Sequence, residues 1–356
     1  MLNLLLIESS LAEKWGDYLA LDQKIREKRE DLVLNYRYWL SRGKFLSLIW
    51  SGRELEGEEL KELSRDYAQD PDILSPAFWA FIFREKTENQ LDFLRRTNVL
   101  MQENDELMGW AVKEVCDLGV EAEIYHYLSN KAEHNQDAIL DSVLKRVNEY
   151  YEDLNRERLV ELIKILGGEK SFNWKTEDSL LRIPETNQKE LFESVKGEMD
   201  SDHYKENRVN YSLLGDQFHR FLHEEKDLRW ARGRLARNGL IGYVLRRNDD
   251  DFEGQGAKET TPPQILIPEP ETFKTFINDF LHFLNPQFYQ AITPYLYVGY
   301  WLQFLLQEFL IKDHQKEEAL GELEKLKNEY EKFYRRRCPD PRIMEAFDDW
   351  PGVEES

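Results

Sequence analysis

Residues 273–311 read FKTFINDFLHFLNPQFYQAITPYLYVGYWLQFLLQEFLI, and this stretch decides the fold because it is long, aromatic and nearly free of charge. Each large apolar side chain gains about 1.5–3 kcal/mol when it is withdrawn from water, so the stretch predicts a buried core. Pro286 and Pro294 interrupt it and predict three helical pieces. We therefore expect an aromatic-rich helical bundle over residues 272–337.

A membrane helix is the alternative for the later part of this stretch, since residues 291–311 approach the roughly 20 residues that span a bilayer. Gln303, Gln307 and Glu308 lie inside it, and a charge at the centre of a membrane helix costs about 2.5–3.5 kcal/mol. A protein core is the better interpretation, and no constitutive membrane span is expected. A conditional membrane-active protein that uses residues 287–311 is an alternative function.

The chain is strongly acidic. It has 69 acidic and 48 basic residues, for a net charge of −21. Such a field repels phosphate backbones, so it disfavours nucleic acid as a partner and favours basic proteins or cations. The two cysteines, Cys116 and Cys338, provide neither a disulfide framework nor a cysteine zinc site, which fits a reducing, cytoplasmic location.

The first 168 residues carry repeated helix signals. Ser10 with Glu13 forms a capping box, and Ser75 caps a predicted helix whose first turn contains Pro76. Short turns separate the predicted helices, as in antiparallel bundles and stacked helical arrays. Because no internal repeat is found, residues 1–168 are predicted to form either a helical bundle or a degenerate α-solenoid-like array, and the whole chain is predicted to be all-α.

The remaining boundaries follow from changes in composition. Residues 169–247 are predicted to form an irregular connector and a middle helical segment, and residues 248–271 a flexible linker rich in Gly, Pro and acids. Cleavage or motion at this linker is a predicted means of regulation. The run Gln264–Ile267 inside it is the best strand candidate. Residues 338–356 are predicted to be an acidic tail.

Four histidines have an acid three residues earlier, which places a carboxylate and an imidazole on one face of a helix. The pairs are Glu123 with His126, Asp200 with His203, Asp216 with His219, and Asp279 with His282. Helical bundles that hold two irons use Glu-x-x-His in this way. Three of the pairs have Asp in place of Glu, and ordinary ion-paired or solvated histidines give the same spacing. A di-iron-like metal enzyme is an alternative function, with Glu123, His126, Asp216 and His219 as candidate ligands.

A basic segment stands out from the acidic background. Its candidate partner-binding residues are Arg229, Trp230, Arg232, Arg234, Arg237, Arg246 and Arg247. Arginine with aromatic side chains can bind phosphates or carboxylates. At about 100° per residue, however, the first four arginines scatter around a helix, so pairing with the chain's own acids is the alternative. Nucleic acid binding is a third interpretation, which the net charge disfavours.

The end of the chain, EAFDDWPGVEES, places Phe347 and Trp350 among acids. This arrangement resembles a short linear motif with aromatic anchors, so both residues are candidate partner-binding residues. The alternative is that the segment packs back onto the bundle.

Motifs for common catalytic mechanisms are missing from the sequence, including Gly-x-Ser-x-Gly, a Walker-type loop, and Gly-x-Gly-x-x-Gly after a strand. Together with several candidate docking segments, this predicts a non-enzymatic adaptor or regulatory subunit that acts through protein–protein contacts. No cofactor is expected, and the sequence does not identify the protein partner.

Overall fold

The computed structural model describes residues 23–25, 27, 43–53, 55, 71–84, 119–121, 123–124, 127–128, 136–148, 154–166, 201–252, 262–281 and 286–352. These residues form helices and their connections, with no strand among them, which confirms the predicted all-α class. The strand predicted at Gln264–Ile267 is wrong, because Pro262–Leu266 is a short helix. So short an apolar run does not separate strand from helix, and the two prolines before it suit a first helical turn.

Residues 43–50 are helical, and eleven further helices have bounds within the described residues. They are α1 (Pro71–Phe83), α2 (Gln136–Val147), α3 (Arg156–Leu166), α4 (Ser201–Glu224), α5 (Trp230–Phe252), α6 (Pro262–Leu266), α7 (Pro270–Asp279), α8 (Phe288–Leu296), α9 (Val298–Gln307), α10 (Asp313–Arg337) and α11 (Pro341–Asp348).

The aromatic stretch 273–311 lies at the centre of the larger hydrophobic core, as predicted. It supplies α7, α8 and α9, and Trp301 of α9 is fully buried. The Trp301 indole donates to the Leu266 carbonyl at 2.8 Å, and the Phe218 ring meets it edge-on with centroids 5.1 Å apart. The buried tryptophan thus joins α9 to α4 and α6.

The break predicted at Pro294 lies three residues later, at Tyr297 between α8 and α9. Pro294 itself sits inside α8, where the Tyr297 N–H still reaches the Thr293 carbonyl at 3.1 Å. Its ring packs against Gly239 of α5, where a Cβ atom would lie only 2.9 Å from the proline Cδ. Glycine at this position makes room for the proline ring between the two helices.

Helix α5 is the centre of the packing, because it contacts α1, α4, α6 and α8. One hydrophobic cluster includes residues from 45–83, from α4 and α5, and from the helices after Pro262. Helices from the predicted N-terminal, middle and C-terminal segments therefore share a core, while the predicted domain boundaries stay predictions. A second, smaller cluster contains Val120, Ile124, Tyr127, Val143, Val147, Leu159 and Ile163.

The later part of the predicted linker is held firmly against α5. Arg247 of α5 donates to the Gln264, Ile265 and Ile267 carbonyls. The same guanidinium pairs with Glu269 at 2.7 Å. Residues 253–261 lie outside the described residues, so cleavage or motion there stays a prediction.

The predicted tail is folded in its described part, residues 338–352. Asp340 caps α11 by accepting from the Arg342 N–H at 2.9 Å, and Pro341 occupies the first turn. Phe347 is fully buried. The Trp350 ring stacks on Tyr295 with centroids 5.2 Å apart, and its indole donates to the Tyr295 carbonyl at 3.0 Å. Packing back onto the bundle, the alternative stated for this segment, is what the structure shows.

Among the helices that the structure describes, none combines the length and the apolar character that a membrane span requires. The stretch 287–311 is divided between α8 and α9, and most of its large side chains are buried within the protein.

The turn after α9 contains the most exposed large apolar side chain of the described residues, Phe309, at 78% exposure. The Phe309 N–H bonds to the Leu306 carbonyl, and the Leu310 N–H to the Leu305 carbonyl, each at 2.9 Å. This is the Schellman pattern, in which glycine is preferred at the left-handed position. Phe309 occupies that position with φ of 59°.

We expect Phe309→Gly to raise the free energy of unfolding by about 1 kcal/mol, because it removes the left-handed penalty of a residue with a Cβ atom. Urea denaturation measures the change. Phe309→Ala is the control, since it deletes the ring and keeps the Cβ atom, and it should change stability much less. Equal free energies of unfolding for the Gly and Ala variants would show that the left-handed backbone conformation at position 309 costs no stability.

Two buried tyrosines of α10 differ in their hydrogen bonding. The Tyr334 hydroxyl donates to the Phe288 carbonyl at 2.8 Å. The buried Tyr330 hydroxyl has no hydrogen-bond partner in the described part of the chain. Burial raises the pKa of both side chains, so both remain neutral well above their ordinary range.

This difference predicts opposite effects of one substitution. Tyr334→Phe should lower the free energy of unfolding by about 1 kcal/mol, because it leaves the buried Phe288 carbonyl without a donor. Tyr330→Phe should be neutral or stabilising, because it removes a hydroxyl that burial has already separated from water. Both are measured by urea denaturation at neutral pH, and the same loss in both variants would rule out this account.

Candidate functional site

A pocket of about 450 Å³ lies where three segments of the chain meet. These segments are residues 228–232 at the start of α5, residues 296–300 between α8 and α9, and residues 342–352 from α11 onwards. Pockets for small ligands typically hold about 300–1,000 Å³, so this one has room for a group of that size, such as a long side chain.

The positively charged lining residues of the pocket are Arg232 and Arg342. Arg232 Nε donates to the Phe83 carbonyl at 2.7 Å, and its guanidinium lies 4.7 Å from the centroid of the Phe83 ring. Arg342 Nη1 donates to the Arg84 carbonyl. Both arginines therefore bind carbonyl groups at the carboxyl end of α1, where a helix carries partial negative charge.

The negatively charged lining residues of the pocket are Glu345 and Asp349, one helical turn apart at the end of α11. Both residues are exposed, and within the described part of the chain neither carboxylate has an ion-pair partner. Like charges at i, i+4 repel each other by a few tenths of a kcal/mol.

The aromatic wall consists of Tyr297, Tyr300 and Trp350. Tyr297 and Tyr300 are stacked with centroids 6.1 Å apart. Trp350 is only 7% exposed and is held by its contact with Tyr295. Trp350 therefore packs against the core and also lines the pocket.

A buried ion pair lies beside the pocket. Arg84 is 3% exposed and Asp340 1%, and Arg84 Nε donates to Asp340 Oδ2 at 2.7 Å. The Tyr289 hydroxyl accepts from Arg84 Nη2 at 2.7 Å and lies 2.9 Å from Asp340 Oδ2 and 3.0 Å from the Ile49 carbonyl. Arg84 thus joins the end of α1 to α8, to α11 and to the helical residues 43–50.

The protonation of this cluster follows from its surroundings. Burial by itself lowers the pKa of Arg84, but the Tyr289 and Asp340 oxygens outweigh it, so the pKa is raised and the guanidinium stays charged. Burial, followed by the charge of Asp340, raises the pKa of the Cys338 thiol. Cys338 is therefore a protonated core residue.

Two of the predicted partner-binding residues, Arg232 and Trp350, come together in the pocket. Most of the other arginines bind groups of this chain, as the stated alternative anticipated. Arg234 pairs with Glu121 at 2.6 Å, Arg237 with Asp216 at 2.9 Å, and Arg246 with Asp279. Arg247 holds the residues after Pro262, and Phe347 lies in the core. Arg229 is exposed, and the Trp230 side chain lies outside the described part.

The described residues contain no group of three or more His, Cys, Asp or Glu side chains that could hold a metal ion. Glu123 is fully buried and pairs with Arg146 at 2.6 Å, and Asp216 pairs with Arg237. His219 is buried beside Gly233. His126 lies outside the described residues, so the pair Glu123 and His126 stays a prediction.

The segment that the sequence selected at the end of the chain contributes Trp350 to the pocket, together with two acids that were not selected. Glu345 and Asp349 line the pocket, whereas Phe347 faces the core. The signal was present in the spacing, because Ile343 and Phe347 at i, i+4 mark the buried face of a helix and leave Glu345 and Asp349 on another. Tyr297, Tyr300 and Arg342 carried no such signal.

No protein-family model, curated protein sequence or solved structure shows significant similarity to the chain.

We expect Asp340→Asn to lower the free energy of unfolding by about 3–5 kcal/mol, because it leaves the Arg84 charge buried without its counter-ion. Asparagine is a good helix cap, so the loss reports the ion pair and not the cap. Asp348→Asn removes one carboxylate from the exposed face of the same helix and should change stability by less than about 0.5 kcal/mol. Urea denaturation compares the two, and equal losses would contradict the role of the pair.

Proposed function

We propose that the chain is a non-enzymatic adaptor or regulatory subunit that binds a protein partner through the pocket between α5, α9 and α11. The observation that carries the proposal is the meeting of Arg232 and Trp350 in that pocket. The two residues come from separate stretches, each selected from the sequence for protein contacts, and they share one concave surface.

The lining of the pocket supports this proposal. Tryptophan, tyrosine and arginine are the residues that contribute most to the affinity of protein interfaces, and they do so in concave, well-packed sites. Tyr297, Tyr300, Trp350, Arg232 and Arg342 supply all three types here.

The position of the pocket also suits binding without a large rearrangement. Its walls belong to helices whose other faces lie in the core, and the buried pair of Arg84 and Asp340 fixes the start of α11. A preformed surface of this kind loses little conformational entropy when a partner binds. A cytoplasmic location is part of the same proposal.

Affinity purification from the native host tests the proposal with two variants that each add one arginine. Ala346→Arg places a long side chain in the pocket, where Ala346 is a lining residue. Gly321→Arg is the matched control on α10, because a Cβ atom at Gly321 meets nothing within 4 Å. A partner should be recovered with the wild type and the control and be lost with Ala346→Arg.

Binding must then be reproduced with the purified partner and the three purified chains, and Ala346→Arg should lower the affinity by about tenfold or more. Circular dichroism confirms that each variant is folded. A partner retained equally by both variants would overturn the pocket as the docking site. Turnover of a substrate by the purified chain alone, abolished by one point substitution, would overturn the non-enzymatic function.

A further inference from the structure

The positive charges of the pocket serve the fold. Arg232 and Arg342 both donate to carbonyl groups at the carboxyl end of α1, and Arg232 also lies over the Phe83 ring. Carbonyl groups at a helix end have lost their helical donors, and cations near them are stabilising. The two guanidinium groups therefore have a structural role that does not require a ligand.

The negative charges of the pocket do not serve the fold. Glu345 lies in the last turn of α11 and Asp349 at its C-cap, and that turn contains no basic residue. Acids at a helix carboxyl end are unfavourable, and two acids at i, i+4 repel each other. Within the described part of the chain, no basic side chain lies within ion-pair distance of either carboxylate, although Arg232 and Arg342 line the same pocket. The helix-end effect and the like-charge repulsion, taken alone, would therefore favour neutral side chains at these two positions.

The aromatic wall next to these acids already accommodates positive charge. The Lys226 ammonium lies 5.6 Å from the centroid of the Tyr300 ring, and the Lys327 ammonium lies 6.0 Å from that of Trp350. Such distances are within the range of cation–π attraction. The aromatic wall and the two carboxylates thus both attract positive charge.

On these grounds, and resting on the proposed function, we infer that the pocket binds a lysine or arginine side chain from a basic segment of the protein partner. Glu345 and Asp349 pair with the cationic head group, and Tyr297, Tyr300 and Trp350 contact its aliphatic stem and charge. The net charge of −21 attracts such a segment from a distance. Its pairing relieves the repulsion between the two carboxylates.

A labelled peptide of alternating basic and serine residues is the probe, and fluorescence anisotropy with the full chain is the measurement. Two matched peptides replace every basic residue by glutamine or by glutamate. We expect the basic peptide to bind, its affinity to fall with added salt, and neither matched peptide to bind.

Variants separate binding in the pocket from general attraction to an acidic surface. The double variant Glu345→Gln, Asp349→Asn should bind the basic peptide with about tenfold lower affinity than the wild type. The melting temperature of this variant should be unchanged or higher. The double variant Glu318→Gln, Glu322→Gln is the control, because it removes two acids with the same spacing from the exposed face of α10. It should weaken binding by less than about twofold.

Equal weakening in the two double variants would overturn the inference, since it would show attraction to the whole surface only. Preference for the glutamate peptide would also overturn it and would assign ligand binding to Arg232 and Arg342. Failure of the inference is distinguishable from failure of the proposed function. If only the inference fails, Ala346→Arg still abolishes binding of the purified partner, whereas Glu345→Gln, Asp349→Asn leaves it intact. If the proposed function fails, neither variant changes the binding of a partner.

Discussion

The buried ion pair between Arg84 and Asp340 is the interaction on which the candidate site depends. It connects the end of α1 to the start of α11, and through Tyr289 and the Ile49 carbonyl it also includes α8 and the helical residues 43–50. A charge taken out of water is tolerated only when its partner and its remaining hydrogen bonds are in place. Because Arg342 follows Asp340 by two residues, the same pair also positions Arg342 in the lining of the pocket.

In the described part of the chain, Phe309 and the end of α11 are exposed places that depart from local preferences. Phe309 adopts a left-handed conformation that suits glycine, and the end of α11 carries acids where a helix favours bases. The start of α11, by contrast, follows the local rules, with the cap formed by Asp340 and a proline in the first turn. Departures from local preference on the surface of an otherwise consistent fold are expected at sites that serve binding.

Local sequence signals predicted the all-α class and the aromatic-rich core, but they did not predict the pocket. The aromatic stretch, which is nearly free of charge, and its prolines identified the core and its three helical pieces, although α8 continues past Pro294, whose ring packs against Gly239. The partners of Arg234 and Arg237 were not predictable, because Glu121 and Asp216 are brought to them only by the packing of helices. The pocket combines three distant segments, and spacing along one helix contains no information about such a meeting. The cap of α11 was visible as Asp340 followed by Pro341, a signal that the acidic composition of the segment obscured.

The distance along the chain between Arg84 and Asp340 has a consequence for synthesis in the cell. The two residues are 256 positions apart. At a translation rate of about 5–20 residues per second, Asp340 is therefore synthesised roughly 13–50 s after Arg84. During that interval the apolar faces of residues 43–50 and of α1 have no α8 or α11 to cover them. A chain that ends before residue 340 lacks both the carboxylate that pairs with Arg84 and the helix α11 that covers this part of the core.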